Sequence, residues 1–302
     1  MELLFLGTAA TLPSTKRNVS SCAVILDEGT FLFDCGEGTQ RQMMLAGISY
    51  MKVNWIALSH FHGDHVRGIP GLVQSMQLSG RKRELYVIGP EGLSGFLMSL
   101  LEMRMLTNTF RIIPVELSRD TSFDFEKYRL TCDNAKHNVK CLAYRLQEND
   151  RPGRFNTAKA IQLGVTPGPA FGVLQKGKEI IVGGKRITPE MVLGKPRAGL
   201  SVGYAVDTRP TREIVRLVRG VDVLVFDSTF DSSLKSRARY TMHSTSAEAA
   251  TVARKACARR LYLTHISGRY ETDKLLRDEA RALFERTYVA RDFLRYRLRP
   301  SG

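Results

Sequence analysis

Cysteine is scarce in this sequence and badly placed for cross-linking. Cys22, Cys35, Cys132, Cys141 and Cys257 are odd in number and scattered, and no two form a CxxC pair. That argues against a disulfide framework or a cysteine-built zinc site, and for a reducing compartment. No apolar run is long enough to span a bilayer. The start, Met1-Glu2-Leu3-Leu4-Phe5-Leu6-Gly7, lacks the basic segment and long apolar core of a signal peptide. A cytoplasmic location with no membrane partner is therefore expected. No internal repeat or low-complexity tract stands out, and nothing marks a protein partner. Negative charge is also short: 30 Asp and Glu face 45 Lys and Arg, a formal +15. Such a field favours a polyanionic partner, nucleic acid before others.

What is present suits an ordinary globular chain. Its 302 residues are 43% hydrophobic and 25% charged, enough for one large domain or two modest ones. Strand character is predicted at 3–6, 22–26, 30–34, 53–58, 85–88, 111–117, 128–132, 141–146, 200–206, 221–226 and 260–264. Asp27-Glu28-Gly29 reads as a hairpin turn. Helices are predicted at 39–46, 92–105, 211–218, 245–257 and 272–286, and Gly68-Ile69-Pro70-Gly71 leads into another that runs to about 78. The helix at Thr245 carries a capping box, Thr245-Ser246-Ala247-Glu248. The basic stretch from Tyr288 onward is expected to be peripheral. Strands and helices intermix without the regular βαβ alternation of a doubly wound sheet.

Residues 149–198 break the pattern, with Pro152, Pro167, Pro169, Pro189 and Pro196, many glycines and no sustained apolar period. A structureless loop of that length inside a compact domain is improbable. The segment reads as an inserted arm, with an interdomain linker as the alternative.

The chemistry concentrates in Ser59-His60-Phe61-His62-Gly63-Asp64-His65, which holds three of the six histidines. It follows a short apolar strand, and imidazole with carboxylate is a ligand set that suits zinc, and less well manganese or iron. Gly63 is read as letting a loop fold tightly. The remaining histidines lie in loops or at element ends: His137 after one strand, His265 after another, His243 before the capped helix. A further strand ends on Asp207. Possible ligands thus recur at strand ends.

At these residues the sequence resembles the metallo-β-lactamase superfamily, marked by HxHxDH and a distant His, Asp and His. Within it the chain is similar, over essentially its whole length, to the ribonuclease Z (tRNase Z) family of tRNA 3′-processing endonucleases. The matching features are Phe5-Leu6-Gly7-Thr8, Phe33-Asp34-Cys35-Gly36-Glu37-Gly38-Thr39-Gln40, Ser59 to His65, His137, Tyr204-Ala205-Val206-Asp207-Thr208, His243-Ser244-Thr245 and Leu263-Thr264-His265. The Gly-Pro-rich insert from Leu163-Gly164-Val165 is similar to that family's tRNA-binding arm. The resemblance implies an α/β (α+β) fold, the four-layer αβ/βα sandwich with a protruding arm, spanning residues 1–302.

It also implies two zinc ions, with manganese or another divalent metal as alternatives. His60, His62 and His137 would hold one, Asp64, His65 and His265 the other, and Asp207 would bridge them. Asp34 would orient a ligand histidine or merely end its strand. The implied reaction is hydrolysis of precursor tRNA, with Asp64 orienting the attacking water and His243 protonating the leaving 3′ oxygen. Lys16 and Arg17 would meet the acceptor end. The family pattern there, P-x-K-x-R-N, has Thr15 at its first lysine in this chain. Gly168, Pro169, Lys176 and Lys178, with Lys159, Lys185 and Arg186, would grip the tRNA body. A homodimer is the family's usual state. Two alternatives stay open. Another hydrolase of the superfamily would share the ligands without needing the arm or His243. A non-catalytic RNA-binding module would sit poorly with an intact ligand set.

Overall fold

The computed structural model of the chain describes residues 1–105 and 109–299. Its strands begin with β1 (Glu2–Gly7), β2 (Ser21–Ile25), β3 (Thr30–Phe33), β4 (Val53–Ala57), β5 (Leu85–Pro90) and β6 (Ile112–Leu117). Next come β7 (Ser122–Phe125), β8 (Tyr128–Asn134) and β9 (Leu142–Glu148), then the short β10 (Ile180–Val182) and β11 (Lys185–Ile187). The last five are β12 (Ser201–Ala205), β13 (Val223–Asp227), β14 (Leu261–Thr264), β15 (Thr287–Val289) and β16 (Arg295–Arg297). Two seven-stranded sheets result, ordered β16-β1-β2-β3-β4-β5-β6 and β15-β14-β13-β12-β9-β8-β7. In the first, β3 to β6 run parallel, and in the second β12 to β15 do.

Strand periodicity explains the layering. Leu3 and Phe5 of β1 face a core that also takes Val223 and Val225 of β13, so this core lies between the sheets. Their neighbours Leu4 and Leu6 face the other way, against Met43, Leu72 and Leu97 of the helices Thr39–Leu45, Gly68–Leu78 and Leu93–Glu102. On the second sheet, Leu224 and Phe226 pack on Ile214, Ala250 and Leu276 of the helices Arg212–Leu217, Ser246–Lys255 and Lys274–Leu283. Three cores between helix, sheet, sheet and helix make the four-layer sandwich. Strands buried on both faces read as unbroken apolar runs, which is why they were predictable.

Differences from expectation have local causes. β7 was not foreseen; it is four residues long, half exposed, and returns to β8 through Glu126 at φ 49°. The helix at Gly68 starts before Pro70 rather than after it, because proline is tolerated in a first turn. The C-terminal stretch is not peripheral. β15 extends one sheet, β16 pairs with β1 in the other, and Ala290 and Leu298 are buried. Its arginines alternate with Tyr296 and Leu298, an edge-strand pattern. The last three residues of that stretch lie outside the described residues.

Glu148–Gly199 forms a compact unit of its own. Helices Thr157–Gln162, Pro169–Gln175 and Pro189–Val192 and the β10–β11 hairpin surround Ala160, Val165, Leu174, Ile187 and Val192. These helices have only six, seven and four residues, too short for a sustained apolar period. Among the described residues, no helix is long and apolar enough to cross a membrane.

Candidate metal centre

Three strands deliver site residues by the same device. β3, β12 and β14 end, and the chain turns left-handed within two residues, at Asp34 (φ 55°), Asp207 (φ 48°) and His265 (φ 58°). A non-glycine residue in that region costs free energy and persists where its surroundings demand it. Here it swings each side chain off its strand and into one nest. The HxHxDH segment arrives at the end of β4. His60 and His62 lie on the connecting loop, while Gly63–Val66 is a helical turn carrying Asp64 and His65. Gly63 therefore opens a helix instead of tightening a loop, and its missing side chain leaves room for the Arg67 guanidinium.

A second loop clamps this segment. The Cys35 amide donates to the His65 carbonyl at 2.8 Å, and the Gly68 amide donates back to Cys35 at 2.9 Å. The backbones touch so closely that a Cβ on Gly68 would sit 2.0 Å from the Gly36 carbonyl oxygen. His137 is set beside Asp207 by another pairing, Lys136 amide to Thr208 Oγ1 at 2.9 Å and Arg209 amide to Lys136 carbonyl at 3.1 Å.

Three groups of ligand atoms form, each within 4.8 Å: two match the expected sets, His60, His62, His137 and Asp207, and Asp64, His65, Asp207 and His265, and a third joins Asp207 and His265 to Asp227 and His243. Asp207 belongs to all three, with Oδ2 3.7 Å from His60 Nε2 and Oδ1 3.0 Å from His265 Nε2. Asp64 Oδ2 lies 3.3 Å from His65 Nε2 and 3.5 Å from His265 Nε2. The outer ring nitrogens are already engaged. Ser59 Oγ lies 2.9 Å from His60 Nδ1, Asp34 Oδ2 2.7 Å from His65 Nδ1, and Thr229 Oγ1 3.0 Å from His265 Nδ1. Such contacts orient an imidazole for metal. Meanwhile His60 Nε2, His65 Nε2, His265 Nε2, His137 Nδ1 and Asp207 Oδ1 are buried without a hydrogen-bond partner. Buried polar atoms without partners are costly, and bound metal is what this donor set of imidazoles and carboxylates fits.

Electrostatics agree. Burial and the neighbouring His65 hold the His60 imidazole down to about 2, so it keeps its lone pair. Burial lowers His137 as well. At His65 burial works downward too, but Asp207 and Asp34 outweigh it and hold the ring well above its usual value. Burial would raise Asp207, yet His265 and His65 hold it well below the ordinary carboxylate range. Asp64 is likewise kept low by His265 and His65 against burial. Ionised carboxylates facing inward imidazoles make a site for positive charge.

His243 sits beside this nest, its ring centroid 5.4 Å from that of His137 and 5.1 Å from that of His265. Its Nδ1 lies 3.0 Å from Asp227 Oδ2. Burial depresses its pKa, but the Asp227 carboxylate prevails and lifts it to about 9. Arg209 donates to the His243 carbonyl and grips Glu248 with both ends of its guanidinium. Glu248 in turn accepts from the Thr245 amide in the capping box, as anticipated. Asp227 and Arg209 escaped the sequence reading. Asp227 ends its strand as Asp207 follows β12, which is the signal that was there to use.

The other expected site residues are not members of these ligand groups. Lys16 is exposed, while Arg17 is only 14% exposed and bonds Thr8 Oγ1, the Ala290 carbonyl and Asp273, each at 2.6 Å. Thr11, earlier in the same loop, donates its amide to Asp64 Oδ2 at 3.1 Å. In the arm, Gly168, Pro169, Lys176, Lys178, Lys159, Lys185 and Arg186 are exposed, Arg186 pairing with Glu179. They belong to the unit Glu148–Gly199, which contains none of the candidate metal ligands.

Residues 30–266 match the family model described as a beta-lactamase superfamily domain. The chain is 45% identical over 294 residues to ribonuclease Z of Methanothermobacter thermautotrophicus, covering 97% of this chain and 95% of that protein. It is 38% identical over 305 residues to ribonuclease Z of Bacillus licheniformis, covering 99% of each. Among solved structures, the short form of human tRNase Z superposes with a TM-score of 0.71 at 24% identity, covering 98% of this chain and 99% of that one.

Proposed function

The chain belongs to the ribonuclease Z family within the metallo-β-lactamase superfamily, and on that premise we propose how its residues share the work of tRNA 3′ processing. It is a metal-dependent hydrolase, an endonuclease that trims precursor tRNA. The observation that carries this reading is the pair of ligand groups sharing Asp207, with the unpartnered Nε2 atoms of His60, His65 and His265 beside its carboxylate. His60, His62, His137 and Asp207 would hold one zinc ion, and Asp64, His65, His265 and Asp207 the other. Bound there, the cations would neutralise charge on the scissile phosphoryl group and make a water acidic enough to ionise near neutral pH.

The remaining steps belong to side chains. Asp64, 12% exposed and held by the Thr11 amide, orients the attacking water and takes its proton. His243, also 12% exposed, stays protonated beside Asp227 and gives its proton to the departing 3′ oxygen. The products are a tRNA with a 3′-hydroxyl and a trailer with a 5′-phosphate. Lys16 meets the acceptor end directly, whereas Arg17, engaged by Thr8, Ala290 and Asp273, acts by fixing the loop that presents Lys16 and the Thr11 amide. The arm's exposed Gly168, Pro169, Lys176 and Lys178 contact the tRNA body, and the enzyme works as a homodimer.

The test is cut-site mapping on a precursor tRNA with a short 3′ trailer, with a chelator control and metal analysis. Cleavage next to the trailer should depend on metal, and His243→Ala should retain metal while losing most cleavage. Loss of metal in His243→Ala would remove it from the proton-donor role.

A further inference from the structure

The far end of the second sheet carries a feature that the hydrolytic site does not use. Arg259 and Arg260 directly precede β14, Arg286 directly precedes β15, and Arg299 follows β16. All four line one cavity of about 130 Å³, together with Asp222 and Tyr296. Because β13 to β15 are parallel, this cavity lies at their N-terminal ends, while Asp227 and His265 lie at their C-terminal ends. The five residues of β13 put roughly 15 Å of strand between the two, at about 3.3 Å per residue.

The charges there are unbalanced. Among the described residues, Asp222 is the only carboxylate lining the cavity. It already accepts from the Ser201 amide and hydroxyl at 2.8 and 3.0 Å and pairs with Arg259 at 3.0 Å. Among the described residues, no carboxylate lies within ion-pair distance of Arg260, Arg286 or Arg299. Arg260 is also fixed in place, its guanidinium 4.5 Å from the Tyr288 ring and 4.4 Å from the Tyr296 ring, one on each strand. A guanidinium clamped between aromatic faces presents its planar donors without an ordering cost at binding. Like charges held around one cavity repel each other, and a multiply charged oxyanion would reverse that term.

We propose that this arginine pocket is a second anion site, which binds a phosphoryl group away from the metal centre. The phosphoryl group could come from an RNA backbone or from a free phosphate-bearing molecule, since both offer the same oxygens. The site does not depend on the substrate being precursor tRNA.

The test uses the metal-loaded enzyme and the double variant Arg286→Gln/Arg299→Gln, whose exposed side chains make no ion pair among the described residues. Circular dichroism and melting in anion-poor buffer check that both fold alike. Inorganic phosphate is titrated by calorimetry against chloride at matched ionic strength, and mature tRNA is titrated by anisotropy at several salt concentrations. Phosphate also meets the metal centre, so the reading is the binding component that the variant lacks. A pocket that takes phosphoryl groups should lose at least about fivefold in that component. If RNA is the source, tRNA affinity should also fall for every sequence alike, with a salt slope shallower by about 1. An unchanged slope with lost phosphate binding assigns the pocket to a free phosphate-bearing ligand. The proposal is overturned if the variant binds both as the wild type does, or if chloride competes as well as phosphate.

Discussion

Replacing Asp227 with asparagine separates the charge beside His243 from the shape of its pocket. The groups facing that imidazole are Asp227 from β13, Asp207 after β12, and His65, which opposes protonation. His137 and His265 stand at ring distance. Asp227 is the largest favourable influence, against burial, and His243 rises from 6.5 to about 9. That rise stabilises the imidazolium by about 3 kcal/mol at about 1.4 kcal/mol per pH unit. The protonated ring is the proposed acid, so activity should be present below its pKa and lost as pH rises through it. Without the carboxylate charge, His243 should return to near 6.5 or lower. The basic limb of kcat/KM should then move down by about two and a half pH units. The variant should be about 30-fold slower than wild type at pH 8 and less than about twofold slower at pH 6. Asparagine can keep only part of the bonding, because Asp227 also accepts from the Thr208 and Thr229 amides at 3.0 Å each. The assay is therefore initial-rate cleavage of precursor tRNA from pH 5.5 to 9.5, with metal content and melting measured on the same preparations. A deficit equal at pH 6 and pH 8, with metal retained, would refute the argument. It would mean that Asp227 acts by shape alone.

Asp207→Ala removes the one ligand common to both groups, so metal content should fall well below that of wild type; full retention would break the bridging assignment. Deleting 151–196 should weaken cleavage of precursor tRNA while sparing hydrolysis of a small phosphodiester, and equal loss of both would make the arm structural. Arg209→Gln should retain metal and lower kcat about tenfold or more with KM little changed, because Arg209 holds the His243 backbone and Glu248 together. Arg209→Lys should recover part of that loss, and a wild-type kcat in Arg209→Gln would dismiss the positioning role. Gly68→Ala drives a Cβ to 2.0 Å from one backbone oxygen and 2.8 Å from another, so it should cost about 3 kcal/mol or more in thermal unfolding; a wild-type melting curve would show that the two loops can part cheaply.

What could be read from residue order follows from which forces are local. Strands buried on both faces leave a continuous apolar run, and a capping box declares a helix start within four residues, so β1, β13, β14 and the Thr245 cap were legible. Histidine is rare enough here that its position alone marked His60, His137 and His265. The left-handed turns at Asp34, Asp207 and His265 were not legible, because nothing in a residue's type announces that a strand end will be forced into a strained conformation to serve a neighbour. Asp227 was missed for a related reason. Its significance depends on His243 sixteen residues away, and a carboxylate at a strand end is otherwise unremarkable. Charge was the least transparent of all. A formal +15 points to RNA, yet it counts alike the exposed Lys176 and Lys178, which are free to meet phosphates, and arginines that hold the protein together. Arg17 ties a loop to Thr8 and Asp273, Arg209 locks Glu248 to the His243 backbone, and Arg81 donates to the carbonyls of Met51, Arg83 and Glu84. Neutralising either kind changes the net charge by the same amount. Only the exposed kind should change the salt dependence of RNA binding, and only the enclosed kind should change stability or kcat, so the two are separable by measurement even where composition treats them as one.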